Sequence, residues 1–206
     1  ETDTIVTDMG FAFQNTHQVW KVKKGQRLLT NCGLAPMGWG LPAAIGAAFA
    51  TSGRRVILIT GEGGLMMNIQ ELATVMHHKL NIKIFVLNNG GYLTIKQTQQ
   101  LGFEGRLMGV NEESGLSFPP MMAIGRTFDM HTICILDNSK LSRLPEALDH
   151  PGPVVCEILM SPDQSQAPRS LNRRNPDGTM NPTKLEDSYP FLDPAIVKQE
   201  MSICEP

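Results

Sequence analysis

The sequence of 206 residues predicts an α/β fold, a three-layer α/β/α sandwich around a mostly parallel sheet. Two observations lead to this prediction. The apolar runs Val56–Ile59 and Ile84–Leu87 have the length and composition of buried strands. Between these runs, apolar side chains recur at helical spacing, at Ile69, Leu72, Ala73, Met76 and Leu80. A strand, a helix and a second strand in this order form a crossover, which makes the two strands parallel in one sheet.

The same alternation of strand and helix patterns extends to about residue 160. Strands are expected near residues 4–8, 27–30, 55–60, 83–88, 131–136 and 153–159, and helices near 40–51, 64–79, 118–128 and 139–149. Beyond this point prolines accumulate, since nine of the 14 lie from Pro151 onward, and Asn175–Gly178 has the composition of a turn. We therefore expect one α/β domain over residues 1–160 and an irregular tail over residues 161–206 that packs on it.

Composition limits the class of protein. A hydrophobic fraction of 41% and a charged fraction of 18% indicate a globular chain. The net charge of −2, without any Lys/Arg-rich run, argues against nucleic acid as a partner. No apolar stretch approaches membrane-spanning length, so no membrane is expected as a partner. The cysteines form no Cys-x-x-Cys pair, which predicts reduced, mostly buried thiols and a cytoplasmic location, with Cys32 in the core; they are Cys32, Cys134, Cys156 and Cys204.

Polar residues follow two of the predicted strands. Gly61-Glu62-Gly63 comes directly after the first apolar run, and Asn88-Asn89-Gly90-Gly91 comes after the second. A parallel crossover brings both strand ends to one edge of the sheet, where open α/β sheets bind ligands. Each half alone is typical of an ordinary turn, either between strand and helix or of the Asn-Gly kind. Together, at crossover spacing, the two halves favour a site for a metal-bound diphosphate.

The residue types in this pair of segments suit a hard cation. Glu62 supplies a carboxylate, Asn89 an amide oxygen and Gly91 a backbone carbonyl, which are the oxygen ligands that Mg²⁺ prefers. Gly63 and Gly64 begin the crossover helix, so their N–H groups are expected to meet phosphate oxygens at the positive end of the helix.

The paired motif resembles the signature of thiamine diphosphate enzymes, in which Gly-Asp-Gly is followed about one crossover later by Asn-Asn. Ala35–Ala47 resembles the Gly-Thr-Met-Gly-Tyr-Gly-Leu-Pro-Ala-Ala-Ile-Gly-Ala segment of the acetolactate synthase-like branch. Thr7–Gly10 and His17–Trp20 resemble parts of its Thr-Asp-Val-Gly-Gln-His-Gln-Met-Trp segment. The resemblance covers roughly residues 1–160 and implies the C-terminal domain, which binds the diphosphate and Mg²⁺.

The resemblance also implies roles for single residues. Met37 stands where the family has an apolar wedge beneath the bent cofactor, which brings the pyrimidine nitrogen close to the thiazolium carbon that must lose its proton. The Ala35 carbonyl and the Met37 N–H would bond the pyrimidine edge. The other implied cofactor contacts are Gly10, His17, Gln18, Gly61, Gly63, Gly64, Asn89, Gly91 and Tyr92. Tyr92, Lys96 and Gln97 are either lining residues of the substrate cavity or ordinary residues of a first helical turn.

Two departures from the family pattern affect the site. Glu62 stands where the family has aspartate, and its extra methylene shifts the carboxylate by roughly one bond length. Restoring aspartate is expected to keep or improve binding. Phe11–Thr16 interrupts the family's Gln-His-Gln run, which leaves open whether Gln14, His17 or Gln18 contacts the diphosphate.

The resemblance implies a thiamine diphosphate-dependent decarboxylase or carboligase, a lyase or transferase that acts on a 2-oxo acid. The activating glutamate of the family lies in a separate pyrimidine-binding domain or subunit, so the chain is expected to be incomplete alone and to form homo-oligomers. FAD is compatible with the resemblance, but no residue indicates it. One alternative is acyl transfer to a nucleotide-linked keto sugar, whose phosphate Arg169, Arg173 and Arg174 would meet. Another is a non-catalytic binding module that has lost metal binding. Glu62, in place of the family's aspartate, would then mark that loss.

Overall fold

The computed structural model describes residues 2–202, which divide into two compact units, one up to Gln164 and one from Ser165 onward. The first unit is built on a six-stranded sheet in the order β2-β1-β3-β4-β6-β5, with every neighbouring pair parallel. The strands are β1 (Thr4–Thr7), β2 (Arg27–Leu29), β3 (Val56–Gly61), β4 (Ile82–Asn88), β5 (His131–Ile135) and β6 (Val154–Leu159). The predicted parallel α/β sheet is confirmed.

Helices cover both faces of this sheet. They are α1 (Phe11–Val19), α2 (Gly40–Ala50), α3 (Glu62–Met67), α4 (Leu72–His77), α5 (Leu93–Gly102), α6 (Met121–Thr127) and α7 (Leu144–Asp149). Short 3₁₀ turns lie at Ile69–Glu71, Glu112–Ser114 and Asn138–Arg143. The sequence did not predict α1 as a helix, and it gave a helix after Tyr92, where α5 lies, only as one of two alternatives. Both helices bury few residues, only Phe11, Ala12 and Thr16 in α1 and Leu93 in α5, so the apolar period that reveals a helix is weak.

The crossover helix predicted over residues 64–79 is broken into α3, a 3₁₀ turn and α4. The break falls at Asn68, whose backbone angles of φ −134° and ψ 32° lie outside the helical region. Its side-chain amide nitrogen donates a 2.6 Å hydrogen bond to the Gly38 carbonyl. A contact with a distant part of the chain therefore accompanies the break, and helical periodicity could not reveal it.

Alternate strand residues divide between two apolar cores, as expected for a sheet buried on both faces. Val6, Leu58 and Ile84 pack on one face with side chains of α2, α4 and α6. Ile5, Ile57 and Phe85 pack on the other face with α7 and with Trp20, which follows α1. The three-layer arrangement is therefore confirmed.

The cysteines differ in exposure. Cys32 is exposed, so its predicted core position is wrong, while Cys134 is partly buried and Cys156 is buried. Burial raises the pKa of the Cys156 thiol to about 12, which makes that thiol unreactive. All three are free thiols, and Cys204 lies outside the described residues.

The second unit contains a two-stranded antiparallel ribbon, β7 (Arg173–Arg174) and β8 (Met180–Asn181), and a helix, α8 (Pro194–Ser202). The predicted turn at Asn175–Gly178 connects the two strands and is confirmed. Arg173 bonds both carboxylate oxygens of Asp187 at 3.0 and 3.1 Å, and its guanidinium lies 4.2 Å from the centre of the Phe191 ring. How the tail packs on the first unit stays a prediction.

Among residues 2–202, none of the helices has the length and apolar character needed to span a membrane.

A comparison of two helical glycines, Gly125 and Gly46, provides a test of this arrangement. A Cβ at Gly125 would lie 2.5 Å from the Thr132 methyl carbon and 3.2 Å from Val155 Cβ, so Gly125→Ala should destabilise the protein by ~1–3 kcal/mol through overpacking. A Cβ at Gly46 meets nothing within 4 Å, so Gly46→Ala should stabilise the protein by up to ~1 kcal/mol. Urea unfolding midpoints measure both effects, and equal effects in the two variants would contradict the close contact between α6 and the sheet.

Candidate functional site

A small cleft opens where β1, β3 and β4 end. Its lining comes from Met9–Ala12, Met37, Gly61–Gly64, Leu87, Asn89 and Gly91–Ile95. In the strand order, β2 lies on one side of β1 and β3 lies on the other, so the chain changes winding direction at this point. Such switch points are where open parallel sheets bind ligands, outside the carboxyl ends of their strands.

Glu62 is buried at the floor of the cleft, with 1% of its surface exposed. Its Oε1 accepts hydrogen bonds from three consecutive backbone N–H groups, those of Asn89 at 3.0 Å, Gly90 at 2.7 Å and Gly91 at 3.1 Å. Burial raises the pKa of this carboxyl, and the N–H groups oppose the rise. All three of these bonds end on Oε1, and none of them uses Oε2.

Asn89 lies beside Glu62 and has an unused acceptor. The residue is 8% exposed, and its Oδ1 is buried without a hydrogen-bond partner among the residues that the structure describes. A buried acceptor without a partner is destabilising by about 1–3 kcal/mol, and most buried polar atoms do find a partner. The arrangement is explained if a cation contacts this oxygen.

Close contacts at three glycines shape the cleft. A Cβ at Gly91 would lie 2.0 Å from the Val110 carbonyl oxygen, and that oxygen accepts the Tyr92 N–H at 2.8 Å. A Cβ at Gly63 would lie 2.2 Å from the Tyr92 ring. At Gly64 a Cβ would lie 2.2 Å from a carboxylate oxygen of Asp8. Glycine is therefore required at these positions by close approach of neighbouring atoms.

The residues at the cleft fit a hard cation. Glu62 and Asn89 contribute one carboxylate oxygen and one unpaired amide oxygen, and Mg²⁺ prefers such ligands together with phosphate oxygens and water. Within residues 2–202, no cluster of three or more His, Cys, Asp or Glu side chains could hold a metal. A metal at this site would therefore depend on amide, carbonyl and ligand oxygens.

The beginnings of α1 and α5 add positive potential to the cleft. Phe11 and Ala12 begin α1, and Leu93 and Thr94 begin α5; all four line the cleft. Neither helix has an acidic residue in its first turn or a side-chain cap, and the first N–H groups of α1 have no partner within the helix, so α1 offers them to an anion.

Most of the predicted site residues lie together. Those that line the cleft are Gly10, Met37, Gly61, Glu62, Gly63, Gly64, Asn89, Gly91 and Tyr92. Ala35 is not among them; it is exposed and has a φ of 47°, so its carbonyl contact stays a prediction. Lys96 and Gln97 also lie outside the lining, where Lys96 Nζ bonds Asp163 at 2.8 Å.

His17 and Gln18 are not brought to the cleft, and the structure gives the reason. Phe11–Thr16 is not an inserted loop but the first part of α1, which starts directly after Gly10. His17 follows Gly10 by seven positions, which is about 10 Å along a helix at 1.5 Å per residue. It is exposed, its ring centre lies 4.5 Å from that of Phe13, and its Nδ1 lies 2.9 Å from the Phe13 carbonyl oxygen.

The sequence prediction gave no role to several lining residues or to Asp8. Phe11 and Ala12 line the cleft where the family motif has Gln-His. Asp8 is 1% exposed just after β1, and burial raises the pKa of its carboxyl. The signal that could have found Asp8 is the one that found Glu62, a carboxylate immediately after an apolar strand.

The fold and the cleft define an α/β domain with a cleft at the carboxyl edge of its sheet, lined by groups suited to a hard cation and an anion. Residues 8–158 match the protein family described as thiamine pyrophosphate enzyme, C-terminal TPP binding domain. The chain belongs to this family, so the resemblance seen in the sequence is confirmed.

Comparison with individual proteins shows which branch of the family the chain resembles. The chain is 35% identical to acetolactate synthase isozyme 1 large subunit of Escherichia coli K12 over 166 residues, which are 80% of this chain and 29% of the relative. It is 32% identical to acetolactate synthase 2, chloroplastic, of Zea mays over 154 residues, 70% of this chain and 24% of the relative. The chain is thus a TPP-binding C-terminal domain of the acetolactate synthase-like kind. It spans less than one third of the length of these relatives.

A solved structure shares the fold. Benzoylformate decarboxylase from Polynucleobacter necessarius superposes with a TM-score of 0.68 at 20% sequence identity, over 79% of this chain and 30% of that one. At this identity, the similarity supports the fold alone.

Removing the charge of Glu62 tests the electrostatics of the cleft. In Glu62→Gln the amide oxygen can still accept the three N–H bonds, while no charge is buried. Without added cations we therefore expect a more stable protein, by roughly 1 kcal/mol or about 2–4 °C in the unfolding midpoint. Glu113→Gln, at an exposed glutamate, is the control and should change little. A lower midpoint in Glu62→Gln would contradict the interpretation that hydrogen bonds compensate the buried charge of Glu62 only in part.

Proposed function

We propose that this chain forms the magnesium and diphosphate half of the active site in a thiamine diphosphate-dependent decarboxylase or carboligase that acts on a 2-oxo acid. The observation that carries the proposal is the pair formed by buried Glu62 and the unpartnered Oδ1 of Asn89 at the carboxyl edge of the sheet, where β3 and β4 end. The family supplies the cofactor, and the names of the acetolactate synthase relatives suggest the type of reaction.

Three protein oxygens are assigned to Mg²⁺ in this proposal: Oε2 of Glu62, Oδ1 of Asn89 and the carbonyl oxygen of Gly91. The cofactor would add two diphosphate oxygens to these ligands in the octahedral coordination of Mg²⁺. The cation would give Asn89 Oδ1 the partner that it lacks and would offset the buried charge of Glu62. The charge balance of the site thus supports a cation here.

The diphosphate would contact backbone groups more than side chains. The first N–H groups of α1 have no partner within the helix, and Gly10 before them leaves room for a ligand. Phe11 and Ala12 occupy the first helical positions, so they offer N–H groups where the family motif has Gln-His side chains. We propose that this backbone cradle replaces those side chains.

Met37 would support the bent cofactor, and Tyr92 would form the wall of the cleft beside the Asn89–Gly91 turn. The cofactor supplies the electron-accepting ring on which decarboxylation of a 2-oxo acid depends. The residues of this chain bind and orient it: Glu62 and Asn89 hold the metal end, and Met37 faces the cleft from the segment before α2.

A pyrimidine-binding domain or subunit with the activating glutamate would complete the site, in a homo-oligomer. Two observations support this: the chain spans less than one third of its relatives, and the segment before Met37 is exposed, with 88% of Leu34 accessible. A flavin stays without support from any residue, and the cytoplasmic location stays a prediction. The keto-sugar alternative finds no support in Arg173, which is engaged with Asp187.

Calorimetric titration of thiamine diphosphate into the complete enzyme tests the metal site. Asn89→Ala should remove the Mg²⁺ dependence of binding and weaken it by at least the ~10–100-fold that loss of an outer-shell partner produces. Asn81→Ala is the matched control, because Asn81 also has a buried, unpartnered Oδ1 but lies before β4, at the opposite edge of the sheet. Equal affinities for Asn89→Ala and the wild type would overturn the assignment.

Glu62→Asp has a different expected result from the one that the family pattern suggests. Shortening the side chain by one methylene, about 1.5 Å, withdraws Oε1 from three N–H groups at 2.7–3.1 Å. We therefore expect weaker Mg²⁺-dependent binding in the same titration. Tighter binding would mean that the turn at Asn89–Gly91 moves to follow the shorter side chain.

The isolated chain should turn over no 2-oxo acid. Loss of a positioned proton-transfer group typically lowers a rate by ~10²–10⁴-fold, and the proposed glutamate lies outside these residues. Carbon dioxide release from pyruvate, with thiamine diphosphate and Mg²⁺ present, measures this directly. Release at an ordinary enzymatic rate would place the activating acid within this chain.

A further inference from the structure

We propose that Asp8 and Asn68 are positioning residues that fix Met37 in the cleft by holding Gly38, the next residue, from both sides. The inference rests on the proposed function of the cleft and adds two residues that do not themselves line it. Asp8 bonds the N–H of Gly38, and Asn68 bonds its carbonyl oxygen.

Asp8 connects three parts of the chain. Its Oδ1 accepts the N–H of Met9 at 2.9 Å and that of Gly38 at 3.1 Å, and its Oδ2 accepts the Thr60 hydroxyl at 2.9 Å. Thr60 directly precedes Gly61-Glu62 in the sequence. One carboxylate therefore ties the Met37 turn to the strand end that carries the proposed metal ligand.

Neighbouring glycines hold the Asp8 side chain in place. A Cβ at Gly64 would lie 2.2 Å from Asp8 Oδ2, and a Cβ at Gly40 would lie 2.8 Å from Asp8 Cβ. The carboxylate thus fills a space that a side chain at Gly64 or Gly40 would otherwise occupy.

Asn68 secures the other side of Gly38. Its amide nitrogen donates to the Gly38 carbonyl oxygen at 2.6 Å, from the break between α3 and α4. Gly38 has a φ of 84°, and a Cβ there would lie 2.7 Å from Met67 Cβ. The conformation is therefore specific to glycine, and both polar groups of that glycine are bonded.

Holding Gly38 also orients Met37. The Met37 carbonyl and the Gly38 N–H belong to one planar peptide group, so a fixed Gly38 N–H fixes the direction of the chain at Met37. A displacement of about 1 Å in a positioning group can lower a rate by ~10²-fold. Asp8 and Asn68 would thus set the distance between the apolar wedge and the metal end of the cofactor.

Variants of the complete enzyme separate this role from general stability. Asp8→Ala removes the acceptors, whereas Asp8→Asn keeps Oδ1 for the two N–H groups and offers an N–H to the Thr60 hydroxyl oxygen. Asn68→Ala removes only the bond to the Gly38 carbonyl, and it keeps the inference testable if Asp8→Ala does not fold. Gln70→Ala, at an exposed position in the adjacent 3₁₀ turn, is the control.

The first measurement needs no cofactor. Amide hydrogen exchange of the segment 37–40, in the enzyme without cofactor, should accelerate at least about tenfold in Asp8→Ala and Asn68→Ala. Asp8→Asn and Gln70→Ala should stay close to the wild type. Unchanged exchange in both alanine variants would overturn the inference whatever the cleft binds.

The second measurement is deuterium exchange at the reactive thiazolium carbon in enzyme saturated with thiamine diphosphate and Mg²⁺. We expect a ~10²-fold slower exchange in Asp8→Ala and Asn68→Ala, comparable with Met37→Ala, and a much smaller change in cofactor affinity. A wild-type rate at full occupancy would overturn the positioning role even if the segment is loosened. If the wild-type enzyme binds no cofactor, the proposed function fails and the positioning of a cofactor fails with it. The amide-exchange result then still shows whether Asp8 and Asn68 hold the turn.

Discussion

The carboxylate of Glu62 holds together the ends of the two central strands, β3 and β4, and the whole candidate site depends on this interaction. One oxygen accepts three consecutive N–H groups from the turn after β4. These bonds orient the turn, and with it Asn89, whose amide oxygen stays buried and unpaired beside the carboxylate. A buried charge is destabilising unless hydrogen bonds or counter-charges compensate it, and here the N–H groups provide only part of that compensation. The remaining part is what a bound cation would supply.

The same arrangement occurs twice along one edge of the sheet. Asp8 follows β1 and Glu62 begins just after β3, and each buried carboxylate accepts backbone N–H groups from a loop that belongs to another part of the chain. Gly40 and Gly64 lie against the Asp8 side chain, and the Glu62 carboxylate bonds the N–H groups of Gly90 and Gly91. The edge therefore combines two buried carboxyl groups with the positive beginnings of α1 and α5, an arrangement that suits a cation bound to a diphosphate.

Polar groups in the cleft lie beside exposed apolar side chains. The floor of the cleft carries the polar groups, while the neighbouring segment presents apolar surface, including Leu34 at 88% and Met67 at 50% exposure. Apolar surface of this kind commonly marks a contact with another domain or subunit. In the proposed enzyme that contact is the pyrimidine-binding domain. The division fits the proposed division of labour, in which this chain anchors the metal end of the cofactor and the partner activates its ring.

The sequence by itself determined the parallel sheet, the cleft at its carboxyl edge and the pairing of Glu62 with Asn89, because these features depend on local apolar runs and on motifs one crossover apart. The tertiary structure decided the rest. It made Phe11–Thr16 the start of a helix and so kept His17 away from the cleft, and it broke the crossover helix at Asn68. It also gave Asp8 partners that lie 30 and 52 residues away. Periodicity and spacing report which residues share an element, but a hydrogen bond between distant loops depends on how the elements pack, and no local pattern encodes it.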